Sequence, residues 1–270
     1  MENHYELPQS KKLSIVSASI LICYSVLPFI QVTAREVPLS LAGIAIPLRI
    51  NFYNLISLIA AALAAAGTDW MLRDHPKIAN HATLPHLILP AMAAGALGTP
   101  LGLLETGLEW WIILAFGSLL IFLIMIAEYI SLDKNDARYP LALMVLTAVS
   151  YGVFFLLCIV LRATNSRLYL LLLALPLFFA FLCLRILSFR LGGKWRFEWT
   201  AVITLIMAQF LIAFYYWPLT PIRYALALLG PAYALIGITA SLEEEPSLRK
   251  VFFEPFLMLG LFWILGIIIK

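Results

Sequence analysis

Three of the four histidines in this chain lie between residues 69 and 86, together with two acids and an arginine. The stretch opens Gly67-Thr68-Asp69-Trp70-Met71-Leu72-Arg73-Asp74-His75-Pro76 and runs on to His81 and His86. Imidazole and carboxylate groups are ligands for divalent metals, so Asp74, His75, His81 and His86 are candidate metal ligands. No cofactor is predicted beyond that possible divalent ion. The same groups can move protons. Asp69, Asp74, His75 and Glu128 are candidate acid–base residues, and Arg73 could grip a phosphate. The spacing carries no complete motif: His81 and His86 are five apart, which does not place them on one helix face, and no H-E-x-x-H occurs. The plainer expectation is that acid and arginine at a helix end pair with one another.

The elements that must hold these residues follow from composition. Hydrophobic residues make up 63% of the chain and charged residues 12%, and mean hydropathy is +0.97. An ordinary soluble domain is about half apolar and about a quarter charged. A chain of this size cannot hide that excess inside itself, because surface grows nearly as fast as volume. The fold class expected is an all-α integral membrane protein, a polytopic bundle of about nine transmembrane helices (eight to nine). The spans predicted are 12–32, 51–70, 84–104, 109–130, 139–161, 167–187, 199–217, 221–241 and 251–269. Residues 12–32 follow Lys11 and Lys12 and end in Val32-Thr33-Ala34, as a signal peptide would, but the stretch is long enough to span and is assigned as the first helix. Pro85, Pro90 and Pro100 predict a kinked or broken third span. Residues 1–270 are expected to form a single transmembrane domain with no separate soluble domain.

Lys and Arg set the expected orientation. With the N-terminus inside, the inner segments carry 12 of the 18 basic residues, which predicts N-terminus in and C-terminus out. Such a chain is expected in a bacterial cytoplasmic membrane. Trp70, Trp110, Trp111, Trp195, Trp199 and Trp217 fall near span ends, where indole favours the headgroup zone. The cluster at 69–86 and Glu128 would then share the cytoplasmic end of their spans.

Residues 35–50 alternate rather than follow a helical period: Val37, Leu39, Leu41, then Ile44, Ile46, Leu48, Ile50. A small β-hairpin on the outer face is predicted, with Leu41 opposite Ile44, Pro38 opposite Pro47 and Glu36 opposite Arg49. Small residues line spans two and three: Ala60, Ala61, Ala62, Ala64, Ala65, Ala66, Gly67, then Ala91, Gly95, Gly98 and Gly102. They predict close packing of those two helices, which would draw Asp69, His75 and His86 together.

Other polar residues point to structure. Glu105 and Glu109 are expected to be solvated or to meet Arg223 or Arg167, and Glu254 to pair with Lys250. Almost no ionisable group reaches a span centre, which argues against an ion-coupled transporter and a voltage sensor. Cys23, Cys158 and Cys183 lie in apolar runs and read as small apolar residues. Net charge is +3, so nucleic acid is not an expected partner. The lipid bilayer is, and so are other membrane proteins.

Glu244-Glu245-Pro246-Ser247-Leu248-Arg249 resembles the E-E-x-x-x-R motif of CAAX-processing-type intramembrane proteases. That family also needs F-x-x-x-H and H-x-x-x-N further on. No histidine follows His86, so the resemblance ends after six residues and implies no protease.

The functional reading from residues alone is a non-enzymatic membrane component: a scaffold, an assembly partner, or a binder of lipid or protein. The alternative is a membrane-embedded enzyme acting on a lipid or isoprenoid headgroup at the cytoplasmic interface. A facilitator for a small solute is a second alternative.

Overall fold

The structure is a computed structural model describing residues 9–30, 35–41, 44–50, 52–75, 83–164, 166–244 and 248–269. His81 and the Glu245-Pro246-Ser247 part of the acidic loop lie outside the described residues. The helices are α1 (Ser10–Ser25), α2 (Phe52–Leu72), α3 (Leu84–Leu103), α4 (Leu108–Ile130), α5 (Tyr139–Ala163), α6 (Leu168–Arg190), α7 (Phe197–Tyr215), α8 (Pro221–Glu244) and α9 (Leu248–Ile268). A 3₁₀ turn, Leu27–Phe29, extends α1. Among the described residues, nine helical segments are long and apolar enough to cross a membrane.

Two helices differ from expectation. The α-helical part of the first span stops at Ser25, because Pro28 cannot supply the N–H that would continue it, and the chain tightens into the 3₁₀ turn. The third span is not broken: α3 runs on through Pro90 and Pro100, with Pro85 in its first turn, where a missing N–H costs nothing. The α6 C-terminus shows how sequence ends a helix. Gly192 has φ 64° and Gly193 φ 96°, and the Gly193 N–H donates back to the Ser188 carbonyl at 2.8 Å, the long bond of a Schellman cap.

Residues Arg35–Leu41 and Ile44–Ile50 form strands β1 and β2, paired antiparallel with Leu41 opposite Ile44, Pro38 opposite Pro47 and Glu36 opposite Arg49. Residues 42–43, which join them, lie outside the described residues.

The chain divides into two compact units, Met1–Ala142 and Leu143–Lys270. In the first, α1 packs on α2 and α4, α2 on α3, and α3 on α4, closing a ring of four helices. The α2–α3 seam is the most extensive, and small residues make it so. A Cβ added to Gly98 would stand 2.9 Å from Ser57 Cβ, and one on Gly95 would stand 3.4 Å from Ala61 Cβ. Gly67 is as tight against α1, since a Cβ there would overlap Val16 Cγ1. In lipid the tails are as apolar as the side chains, so close van der Waals approach of this kind is what holds helices together. Tyr24 adds a polar tie, its hydroxyl donating to the Ala94 carbonyl at 2.5 Å. In the second unit α6 packs on α7 and α8, α7 on α8, and α8 on α9.

Trp110 lies in the first turn of α4, at a span end as expected, but faces the protein. It is fully buried and donates from Nε1 to the Leu101 carbonyl at 3.1 Å, whereas Trp111 is exposed. Adjacent helix positions point about 100° apart, so only one of the pair can face outward. Glu105 precedes α4 rather than sharing a helix face with Glu109, and both are exposed.

Candidate functional site

In the first unit, the N-termini of α1 and α3 and the C-termini of α2 and α4 meet at one end. Each chemical candidate there has a partner. Asp69 and Arg73 sit one turn apart on α2 and its C-terminal extension, and the Arg73 Nη2 lies 2.7 Å from Asp69 Oδ2. Asp74 accepts from Lys12 of α1 at 2.5 Å, and the same ammonium sits 4.7 Å from the centre of the Trp70 ring. Lys12 thus joins α1 to α2 by charge and by the ring face.

His75 is buried just after α2, and its ring meets Tyr129 edge-on at 4.7 Å. Beside Tyr129, Glu128 is fully buried, and its Oε2 lies 2.8 Å from His86 Nδ1. Ser131 completes the group. Its hydroxyl donates to the Glu128 carbonyl at 2.8 Å and lies 3.4 Å from His86 Nδ1. The local reason is helix geometry: Glu128 stands in the last turn of α4 and Ser131 caps it, while His86 opens α3, so the two ends present side chains to one another.

The chemistry available to this group is limited by which nitrogen is used. Both Glu128 and Ser131 approach Nδ1, so the carboxylate and the hydroxyl are on the same side of the imidazole. A nucleophilic serine needs the acid on one ring nitrogen and the hydroxyl on the other. The pair instead orients the ring, with Nδ1 directed at the carboxylate and Nε2 turned the other way.

Among the described residues, no three His, Cys, Asp or Glu side chains gather as a metal site would require. Of the residues named as metal ligands, Asp74 meets Lys12, His75 meets Tyr129, His86 meets Glu128, and His81 is outside the described residues.

The loop after α4 holds one further charged pair. The Arg138 fork embraces Asp136, with Nη2 to Oδ2 at 2.7 Å and Nε to Oδ1 at 3.1 Å. The hydrogen-bonded guanidinium holds the Asp136 carboxyl below the usual carboxylate range.

Three polar contacts in the second unit went unread in the sequence. Arg196 pairs with Glu243 at 2.7 Å, Trp199 Nε1 donates to the same carboxylate at 3.1 Å, and the Tyr233 hydroxyl donates to Glu254 at 3.0 Å. The side chain of Lys250, the partner expected for Glu254, lies outside the described residues. The partners of Glu243 are 44 and 47 residues away, beyond the reach of any local spacing rule.

The fold defines the class: a polytopic α-helical integral membrane protein. The chain belongs to the family described as Protein of unknown function (DUF5656), whose profile matches residues 32–269. No curated protein and no solved structure matches it.

Proposed function

We propose that this chain is a non-enzymatic component of a bacterial cytoplasmic membrane, a helical scaffold whose partners are lipid and other membrane proteins. The observation that carries the reading is the pairing at the helix ends. Asp69 with Arg73, Asp74 with Lys12, and His86 with Glu128 each satisfy one another. The second and third pairs tie helices together, and the first holds Arg73 along its own helix, instead of converging on a substrate. The bias of basic residues supports an orientation with the N-terminus inside, which puts this end at the cytoplasmic face and the β1–β2 strands at the outer one. Nucleic acid has no place in this reading.

A second reading rests on one observation, the burial of Glu128 against His86. Buried ionisable groups near a membrane interface are candidates for function, and this pair could serve an enzyme acting on a lipid headgroup. The experiment that separates the two is His86→Gln and Glu128→Gln in the full chain, assayed for thermal stability and for turnover of phospholipid and isoprenyl phosphate in vesicles. Metal content of the purified protein is measured in parallel. The scaffold reading expects lower stability, no turnover by the parent chain and no stoichiometric metal. Turnover that disappears in a variant still folded at the assay temperature would replace it with the enzyme.

A further inference from the structure

In the second unit, a cleft of about 240 Å³ opens where α7 ends, α8 begins and α9 ends. Its wall is almost wholly apolar: Phe214, Trp217, Leu219, Trp263 and Ile267 line it, and Arg223 is the one charged residue among its lining. Two indoles and a phenyl ring form a connected set, Phe214 lying 6.4 Å from Trp217 and 6.3 Å, edge-on, from Trp263. Trp263 is held in place by its Nε1 bond to the Ala227 carbonyl at 3.2 Å. Arg223 is held by its Nε, which donates to the Ile269 carbonyl at 2.7 Å. A second guanidinium adjoins the rim, as Arg162 donates from Nη2 to the Trp217 carbonyl at 3.3 Å.

Charge narrows the occupant. The segments of this unit that reach this end, 155–170, 212–232 and 258–269, carry Arg162, Arg167 and Arg223 and no Asp or Glu. The acids of the unit, Glu198, Glu243, Glu244, Glu245 and Glu254, all fall elsewhere along the chain. An apolar slot with an arginine at its edge, flanked by indoles, matches an amphiphile with a hydrocarbon tail and a negative head. A liquid-water molecule takes up about 30 Å³, so the cleft has room for about eight methylene-sized groups, a segment of one acyl chain.

We propose that this cleft holds an acyl chain of a bilayer glycerophospholipid whose net-anionic headgroup is gripped by Arg223. The proposal rests on the lipid-binding reading above and names its site and its lipid class. Arg223 supplies headgroup choice, since the guanidinium fork meets phosphate oxygens and a net negative head adds attraction that a zwitterion lacks. The aromatic wall supplies retention, since the chain leaves the mobile bilayer for a fixed surface.

The test is native mass spectrometry of the full chain titrated with phosphatidylglycerol or phosphatidylcholine, with melting temperature measured alongside. The parent protein is expected to retain phosphatidylglycerol about fivefold better, the effect of one cation near an anionic headgroup. Arg223→Gln abolishes that preference, and Arg223→Lys keeps most of it. Gly266→Leu, which projects a side chain into the cleft, lowers retention of both lipids. Arg196→Gln, at the opposite end of α7, leaves the preference intact. Equal retention of the two lipids by the parent overturns the proposal, as does a folded Arg223→Gln protein that keeps the preference. Neither result bears on turnover at His86 and Glu128, so failure here and failure of the scaffold reading are separately visible.

Discussion

The end of the first unit that holds His86 and the end of the second that holds Arg223 use polar side chains in opposite ways. In the first, four helix ends bring acid, base and imidazole together, and each meets a counterpart: Lys12 with Asp74, His86 with Glu128. In the second, the ends of α7, α8 and α9 leave an apolar cleft with an arginine on its edge. The difference lies in what the helices carry at those ends. The first unit has both signs of charge on neighbouring termini, so packing the helices satisfies the charges. Among the described residues the cleft end of the second carries Arg162, Arg167 and Arg223 and no Asp or Glu, so packing the helices gives those cations no carboxylate side chain. Glycines also differ in how closely they are packed. Gly67, Gly98 and Gly117 of the first unit and Gly237 of the second leave little room for a methyl group, whereas Gly152 and Gly260 of the second unit face open space.

The sharpest way to break this contrast is to remove one member of the buried pair in the first unit. His86→Ala takes away the imidazole that Glu128 Oε2 meets at 2.8 Å and is expected to destabilise the first unit by about 3–5 kcal/mol. Thermal or denaturant unfolding in detergent measures it. The double variant His86→Ala/Glu128→Ala should cost less than the sum of the two single changes. Additive costs would mean that the pair is not a tie.

Next in size is the packing test. Gly67→Ala forces a methyl group against Val16, whose β-branched side chain has few rotamers to move into, and is expected to cost about 1–3 kcal/mol. Gly152→Ala and Gly260→Ala meet nothing within 4 Å and gain helix propensity, so they should be neutral or stabilising by up to about 1 kcal/mol. Equal effects of the three substitutions on melting temperature would erase the distinction between closely packed and open glycines.

The smallest effect belongs to the Asp136–Arg138 fork, which sits in the loop outside the spans. The folded carboxyl titrates below its unfolded value, so the pair contributes stability above the unfolded pKa. That contribution is lost as pH falls through the lower, folded one. Arg138→Ala should therefore lower the melting temperature slightly at neutral pH, and by progressively less as pH falls into the acid range. A difference that does not shrink with falling pH would assign the loss to packing of the Arg138 stem rather than to charge.

Much of the fold is legible in the chain, because lipid makes the rule local. A span must be apolar for about 20 residues and must close its own backbone hydrogen bonds, so each helix announces itself within its own stretch. The predicted span 139–161 is α5 at 139–163, and 221–241 is α8 at 221–244. The small residues of α2 and α3 likewise foretold the tightest seam. Where the reading missed, a local rule had been pushed too far. Prolines in the third span suggested a kink or a break, and of the two the break is excluded: the first turn absorbs Pro85, and Pro90 and Pro100 lie within a continuous helix. Trp110 does stand at a span end, as expected, but its burial against the neighbouring helix was not legible there.

Residue type and order determined by themselves where the helices lie, that hydrocarbon is their solvent, and that histidine and carboxylate share one stretch. Only the tertiary structure decided that Glu128 belongs to His86, 42 residues away, and Lys12 to Asp74. It alone set both Glu128 and Ser131 on the same imidazole nitrogen, and it alone opened a cleft beside Arg223. The physical reason is range. Backbone hydrogen bonding and transfer into lipid act within a span, whereas a side-chain pair or a cleft exists only once separate helices have chosen their neighbours and rotated to face them.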